Sequence, residues 1–164
     1  MKENNSITAE ELIKDLQEVF DGNGVPNLGY VKAKLNEYKE HIETLKSIDE
    51  LEVYNWLMSL GAKLNDDALS EDRRTVDNKI KQCQFDLYVD REDNKFKAWS
   101  NGMIAAGYAY ILLDIFNSLP TEESKKISET HFKTIKLDEM LTMNRQTGFY
   151  EMVNLMITKN IKGD

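Results

Sequence analysis

Few residues of this chain are of a type, and in a setting, that could do chemistry. It has one cysteine, Cys83, and two histidines, His41 and His131. A cysteine is a nucleophile only as its thiolate, which needs an accessible, electropositive setting. Around Cys83 polar and apolar residues alternate. Gln82, Gln84, Asp86, Tyr88 and Asp90 fall on one side, and Cys83, Phe85, Leu87 and Val89 on the other. That is the period of a strand with Cys83 on its inward face, so the residue is expected to pack as a small hydrophobe. Neither histidine belongs to a His-Glu-x-x-His motif or follows a glutamate by three residues. Glu37 and His41 lie one helical turn apart, on a charged helix face that reads as solvated rather than as a metal pair. The acidic run 90–94 lacks the glycine and closing glutamate of a calcium loop. Glu10-Glu11 and Glu122-Glu123 are followed at the next turn by Lys14 and Lys126. Helical pyrophosphohydrolases need a further carboxylate there. Phosphate-cradle, serine-elbow and zinc-cysteine patterns are absent too. No catalytic residue, metal ligand or cofactor is therefore expected.

Asp114 is the one polar residue that resists a bland account. It interrupts the most apolar stretch of the chain, residues 100–119, and shares a helical face with Met103, Gly107 and Tyr110. A buried aspartate must find a partner or stay protonated. A ligand pocket beside this helix, lined by Trp99, Tyr108, Tyr110 and Asp114, is the second functional reading. The stretch is too short to cross a bilayer and has Asn101, Asp114 and Asn117 on its flanks, so it reads as a central core helix. Ala105, Ala106 and Gly107 would let another backbone approach closely. Ser100 is its expected N-cap, and Pro120 stops it.

The other elements are arranged around that helix. A capping-box pattern at Thr8–Glu11 opens a helix over about 9–20, followed by a Gly/Asn/Pro loop over 21–29. Val31, Leu35, Tyr38, Ile42 and Leu45 give a two-heptad seam over 30–46. Ser47-Ile-Asp-Glu50 predicts a second capping box, then a helix ending at Gly61. The charged stretch 65–74 reads as a short helix or an exposed turn. A β-hairpin is expected over about 82–99, with strands at 82–89 and 95–99 and a connector at 90–94; a helix through Val76, Ile80, Cys83 and Leu87 is its rival. Two strands alone are marginal, so the hairpin must pack on a helix, find a third strand or pair with a partner. Thr121 starts a further helix through Ile127, His131, Ile135 and Met140, although 131–137 would also serve as a third strand. After a break at 144–148, Phe149, Met152, Val153, Met156, Ile157 and Ile161 mark a last amphipathic helix. The expectation is one domain over 1–164. Its class is α+β, predominantly α, with about six helices around the apolar helix 100–119 and one hairpin.

Charge supplies the functional expectation. The net charge is −8, and residues 1–72 hold 16 acids against 7 lysines. Such a surface repels nucleic acid and attracts a basic partner. The reading is a small cytoplasmic protein-binding module that occludes a basic surface: an inhibitor, an immunity protein or a phage anti-defence protein. Its docking residues would be Glu37, Glu40, Glu43, Asp49, Glu50, Glu52, Asp66, Asp67, Glu71 and Asp72. No nucleic acid and no membrane is expected as a partner, and the seam or the hairpin edge offers a homodimer contact.

Overall fold

The computed structural model describes residues 29–162. The expected helix over 9–20 lies outside them. Helix α1, Gly29–Ile48, buries Val31, Leu35 and Ile42 at helical spacing. It absorbs Ser47, whose hydroxyl donates to the Thr44 carbonyl at 2.6 Å, so Ser47 caps nothing. The N-cap of α2, Glu50–Leu64, is Asp49, which accepts the Leu51 N–H at 2.9 Å. Gly61 does not end α2. A Cβ there would lie 2.8 Å from the Met103 carbonyl oxygen, so this glycine lets α2 meet α3, Met103–Ser118. The contact is reciprocal, since a Cβ on Gly107 would lie 2.2 Å from the Leu57 carbonyl oxygen. The small residues of the apolar stretch thus admit the α2 backbone, as their size suggests.

Residues 65–78 form three short 3-10 turns, Asn65–Asp67, Glu71–Arg73 and Val76–Asn78. The hairpin follows, with β1 at Leu87–Glu92 and β2 at Lys95–Ser100. Leu87 stands opposite Ser100 and Glu92 opposite Lys95. The turn is the two residues Asp93 and Asn94, at φ 59° and 65°, as a type I′ hairpin requires. The expected connector over 90–94 therefore gives three residues to β1, and the strand expected from Gln82 begins at Leu87. Strand-favouring side chains concentrate only from Leu87 onward, whereas Gln-Cys-Gln-Phe-Asp holds one, Phe85. Leu87, Val89, Phe96 and Ala98 are buried under the helices. The edges are shielded by single backbone bonds: Leu69 N–H to the Ala98 oxygen at 3.0 Å, and Ile80 N–H to the Leu87 oxygen at 2.8 Å. Asn117, near the end of α3, covers the same β2 edge as Leu69, two residues further back. Its amide accepts the Phe96 N–H at 2.8 Å and donates to the Phe96 carbonyl at 3.0 Å.

Ser100 ends β2 instead of capping α3. Gly102 takes the N-cap position, and no side chain caps it. After Pro120 the expected single helix is broken into α4, Thr121–Ser124, and α5, Glu129–Lys133, then a 3-10 turn at Asp138–Met140. Ser128, the N-cap of α5, separates α4 from α5; Lys136, at φ 62°, ends the helical run after α5, and 131–137 is not a strand. His131 has a local job: its Nδ1 accepts the Ser128 N–H at 2.9 Å and closes the cap of α5. The last helix, α6, is Met143–Lys162. It starts six residues before Phe149, because the Thr142 hydroxyl accepts the Arg145 N–H and buried Gly148 packs within the helix. Six α-helices and one hairpin make up the described residues, an α+β fold that is predominantly helical. Buried residues from α1 to α6 form one contiguous core.

Candidate functional site

The loop 81–86 is held at both ends. From α6, the Glu151 carboxylate accepts the Lys81 and Gln82 N–H groups, each at 2.8 Å. At the other end the Asp86 carbonyl accepts from the Ser100 hydroxyl at 2.7 Å, and the Asp86 N–H reaches the Asn101 side-chain oxygen at 2.9 Å. Cys83 lies between these anchors, half-buried. It is not on a strand and not sealed in the core. Its side chain borders a cavity of about 270 Å³. The walls are Met58 of α2, the first turns of α3 with Tyr108, Asn144 and Arg145 at the start of α6, and Phe85.

Positive charge reaches this cavity from two groups, with the Glu151 carboxylate opposing them at Tyr108. The N-terminal end of the 16-residue α3 has no side-chain cap, and a helix N-terminus carries partial positive charge. Arg145 adds a full one. Tyr108 brings its hydroxyl to 3.9 Å from Cys83 Sγ. Burial, and then the neighbouring Cys83, pushes the Tyr108 ionisation above its usual range, so the hydroxyl stays protonated. Two large apolar side chains of the cavity wall stand exposed, Phe85 at 43% and Met103 at 64%.

The aromatic pocket expected from the sequence is dispersed. Tyr108 faces the Cys83 cavity, while Trp99 lines an adjoining groove with Gly61 and Asn65 that shares Met58 and Met103 with it. Asp114 lies in a third depression, with Lys34, Tyr38, His41 and Trp56. Half-buried Tyr110 packs against the core. Asp114 has the partners its position demands. The Tyr38 hydroxyl donates to it at 2.5 Å, Lys34 Nζ lies 3.1 Å away, and Ser118 donates at 3.0 Å. Burial works against its charge, but these three outweigh it and hold the carboxyl below the usual aspartate range.

The acidic residues are spread over α1, the start of α2 and the 3-10 turns. Glu37, Glu40, Glu43, Asp49, Glu50, Asp66, Glu71 and Asp72 are exposed, and Glu52 is half-buried. Asp49 is occupied as the α2 cap, and Asn36 donates to Glu40 at 2.9 Å. Asp67 is neutralised in place, 2.6 Å from Lys95 Nζ and 3.2 Å from Lys97 Nζ. Among the described residues, no three His, Cys, Asp or Glu side chains could hold a metal ion together. No helix among them is long and apolar enough to cross a membrane.

What the geometry defines is a protein with a single thiol, set over a small cavity at a helix N-terminus. The comparison with protein families supplies the class. The SufE model, an Fe-S metabolism associated domain, matches residues 39–160, and the chain belongs to that family. The match contains Cys83 and every wall of its cavity. The chain is 33% identical over 86 residues to the cysteine desulfuration protein SufE of Plasmodium vivax, covering 48% of this chain and 36% of that protein. An uncharacterised SufE-like protein of Synechocystis is 26% identical over 140 residues, 83% of this chain and 81% of its own length. The cysteine desulfuration protein SufE of Plasmodium falciparum is 23% identical over 159 residues, 87% and 62% of the two chains. The matches thus span about a third and under two thirds of the two Plasmodium proteins.

This membership overturns the reading of the chain as an occluding inhibitor, immunity protein or phage anti-defence protein, and the small-molecule sensor with it. Excess surface carboxylates are shared by many unrelated proteins, so charge segregation could not carry that conclusion. The strand position expected for Cys83 fails for a local reason, although the side chain does pack in part against the core. Alternation continues to Gln82 in the sequence, but the chain turns out of the strand before Leu87 and presents the thiol to the cavity.

Proposed function

We propose that the protein is a sulfur carrier: Cys83 accepts a sulfane sulfur derived from cysteine and hands it on as a persulfide. One observation carries this: the chain's single thiol borders a cavity that has a helix N-terminus and Arg145 in its wall. The Cys83 thiolate attacks the outer sulfur of a persulfidated cysteine on a donor protein. A new S–S bond forms at Cys83 Sγ and the donor's S–S bond breaks. The donor cysteine leaves as a thiolate, and the terminal sulfur keeps its proton or releases it to water. No electrons are gained or lost overall. The α3 N-terminus and Arg145 stabilise the attacking thiolate and the product persulfide.

The donor is a cysteine-desulfurating enzyme, so the chain acts as a transfer partner and not as a free-standing catalyst. Phe85 and Met103 form an apolar rim for that enzyme, and the exposed carboxylates of α1 would steer one with a basic surface. Such a carrier suits a reducing compartment such as the cytoplasm. The side chains present do not fit a resident iron–sulfur cluster, which takes four thiolates where this chain has one. The family's connection to iron–sulfur metabolism is then the supply of sulfur.

The test is intact-protein mass spectrometry after incubation with a cysteine-desulfurating enzyme and L-cysteine. The wild-type protein should gain the mass of one sulfur atom and Cys83→Ser should gain none. No gain on the wild type, or an equal gain on the variant, overturns the proposal.

A further inference from the structure

The Tyr108 hydroxyl is placed oddly for a structural group. Its ring is fully buried on α3 and packs edge-on against Phe149, with centroids 5.4 Å apart. Its oxygen lies 3.0 Å from where a Cβ on Gly148 would stand, so α6 gives up a side chain to make room for it. Buried phenols normally donate to an oxygen at 2.7–2.8 Å. This one points at Cys83 Sγ across 3.9 Å, a long contact even for sulfur. A neutral thiol at that distance gains little from it.

A loaded Cys83 would differ. A second sulfur lies about 2.05 Å from the first. A bond leaning toward the ring brings that outer sulfur within roughly 3.4 Å of the hydroxyl. The outer sulfur carries the negative charge of a persulfide, and a hydrogen bond to an ionised acceptor is about twice as strong as a neutral one. We infer that Tyr108 is a positioning residue for the loaded state: its hydroxyl donates to the outer sulfur of the Cys83 persulfide and retains it inside the cavity. The inference rests on the reading of Cys83 as a sulfur carrier. Because burial keeps the phenol protonated, it remains a donor throughout the working pH range.

The test uses sodium polysulfide as the sulfur source, so that no partner protein is involved. Wild type and Tyr108→Phe are loaded, and loss of the extra sulfur to dithiothreitol is followed by intact mass. In parallel, the empty thiol is alkylated with iodoacetamide. The variant keeps the ring and its packing. It should lose the extra sulfur roughly tenfold faster, while alkylation of the empty thiol changes by about twofold or less. Gly148→Ala, whose methyl crowds the hydroxyl, should shift retention in the same direction. Equal retention in Tyr108→Phe and wild type overturns the inference and leaves the carrier reading standing. So does a change of retention and alkylation by one common factor, because that reports a loosened loop. A wild-type protein that takes up no sulfur at all overturns both.

Discussion

At the scale of single residues, Asp114 shows how a charge survives inside an apolar helix. Its carboxylate is engaged by Lys34, Tyr38 and Ser118, two elements meeting on one side chain. The sequence shows why a partner is required, since nothing else in residues 103–115 is charged. It does not show which partner, because Tyr38 lies 76 residues away in a helix seam and Lys34 a turn before it. The folded carboxyl ionises below its usual range, so its contribution to stability is present in full above the unfolded value, about pH 4. It is lost as pH falls through the lower, folded value. Asp114→Asn should therefore cost about 1 kcal/mol at neutral pH, given the partial exposure of the pair. The gap between variant and wild type, read as urea midpoints, should close below about pH 4. A gap that stays constant with pH would show that the charge of Asp114 is not what is stabilised.

At the scale of elements, α2 and α3 cross with no room for a side chain between their backbones at two glycines. Gly107 sits against the Leu57 carbonyl and Gly61 against that of Met103. Neither obstacle is a flexible side-chain tip, so an added methyl must push two helices apart. Gly107→Ala should destabilise by about 3 kcal/mol, seen as a lower denaturant midpoint with little change of slope. A variant as stable as wild type would mean that the helices separate at no cost. Helices were legible in the sequence because periodicity reports which face is buried, and α1, α2, α3 and α6 all carry it. Their ends were less legible. Ser47, Gly61 and Ser100 look like caps by type, yet each is used for another contact. The hairpin was legible as alternation, and the loop before it was not, because Gln82–Asp86 alternates by composition without pairing.

At the scale of the whole molecule, the candidate site is assembled from segments that have no local signature together. Cys83 comes from a loop, Tyr108 from mid-α3, Arg145 from the first turn of α6 and Met58 from α2. Only the fold brings them to one cavity, so neither Met58 nor Arg145 carries a mark in the sequence that ties it to Cys83. The last helix also fixes the loop, since Glu151 accepts two consecutive backbone N–H groups immediately before Cys83, about 70 residues away in sequence. Those bonds are made to a carboxylate, so each is stronger than a neutral pair. Glu151→Gln keeps the shape but leaves one acceptor oxygen and removes the charge. Global stability should fall by about 1–3 kcal/mol, because the loop is a small part of the core. The local effect should be larger than the global one. The amides of Lys81 and Gln82 should lose hydrogen-exchange protection while those of Val89 and Leu112 keep theirs. Cys83 alkylation should speed up by roughly several-fold, since a loosened loop exposes the thiol more often. Unchanged exchange at Lys81 and Gln82 would mean that the Asp86 anchor alone holds the loop, and that α6 contributes Arg145 to the cavity but does not govern access to the thiol.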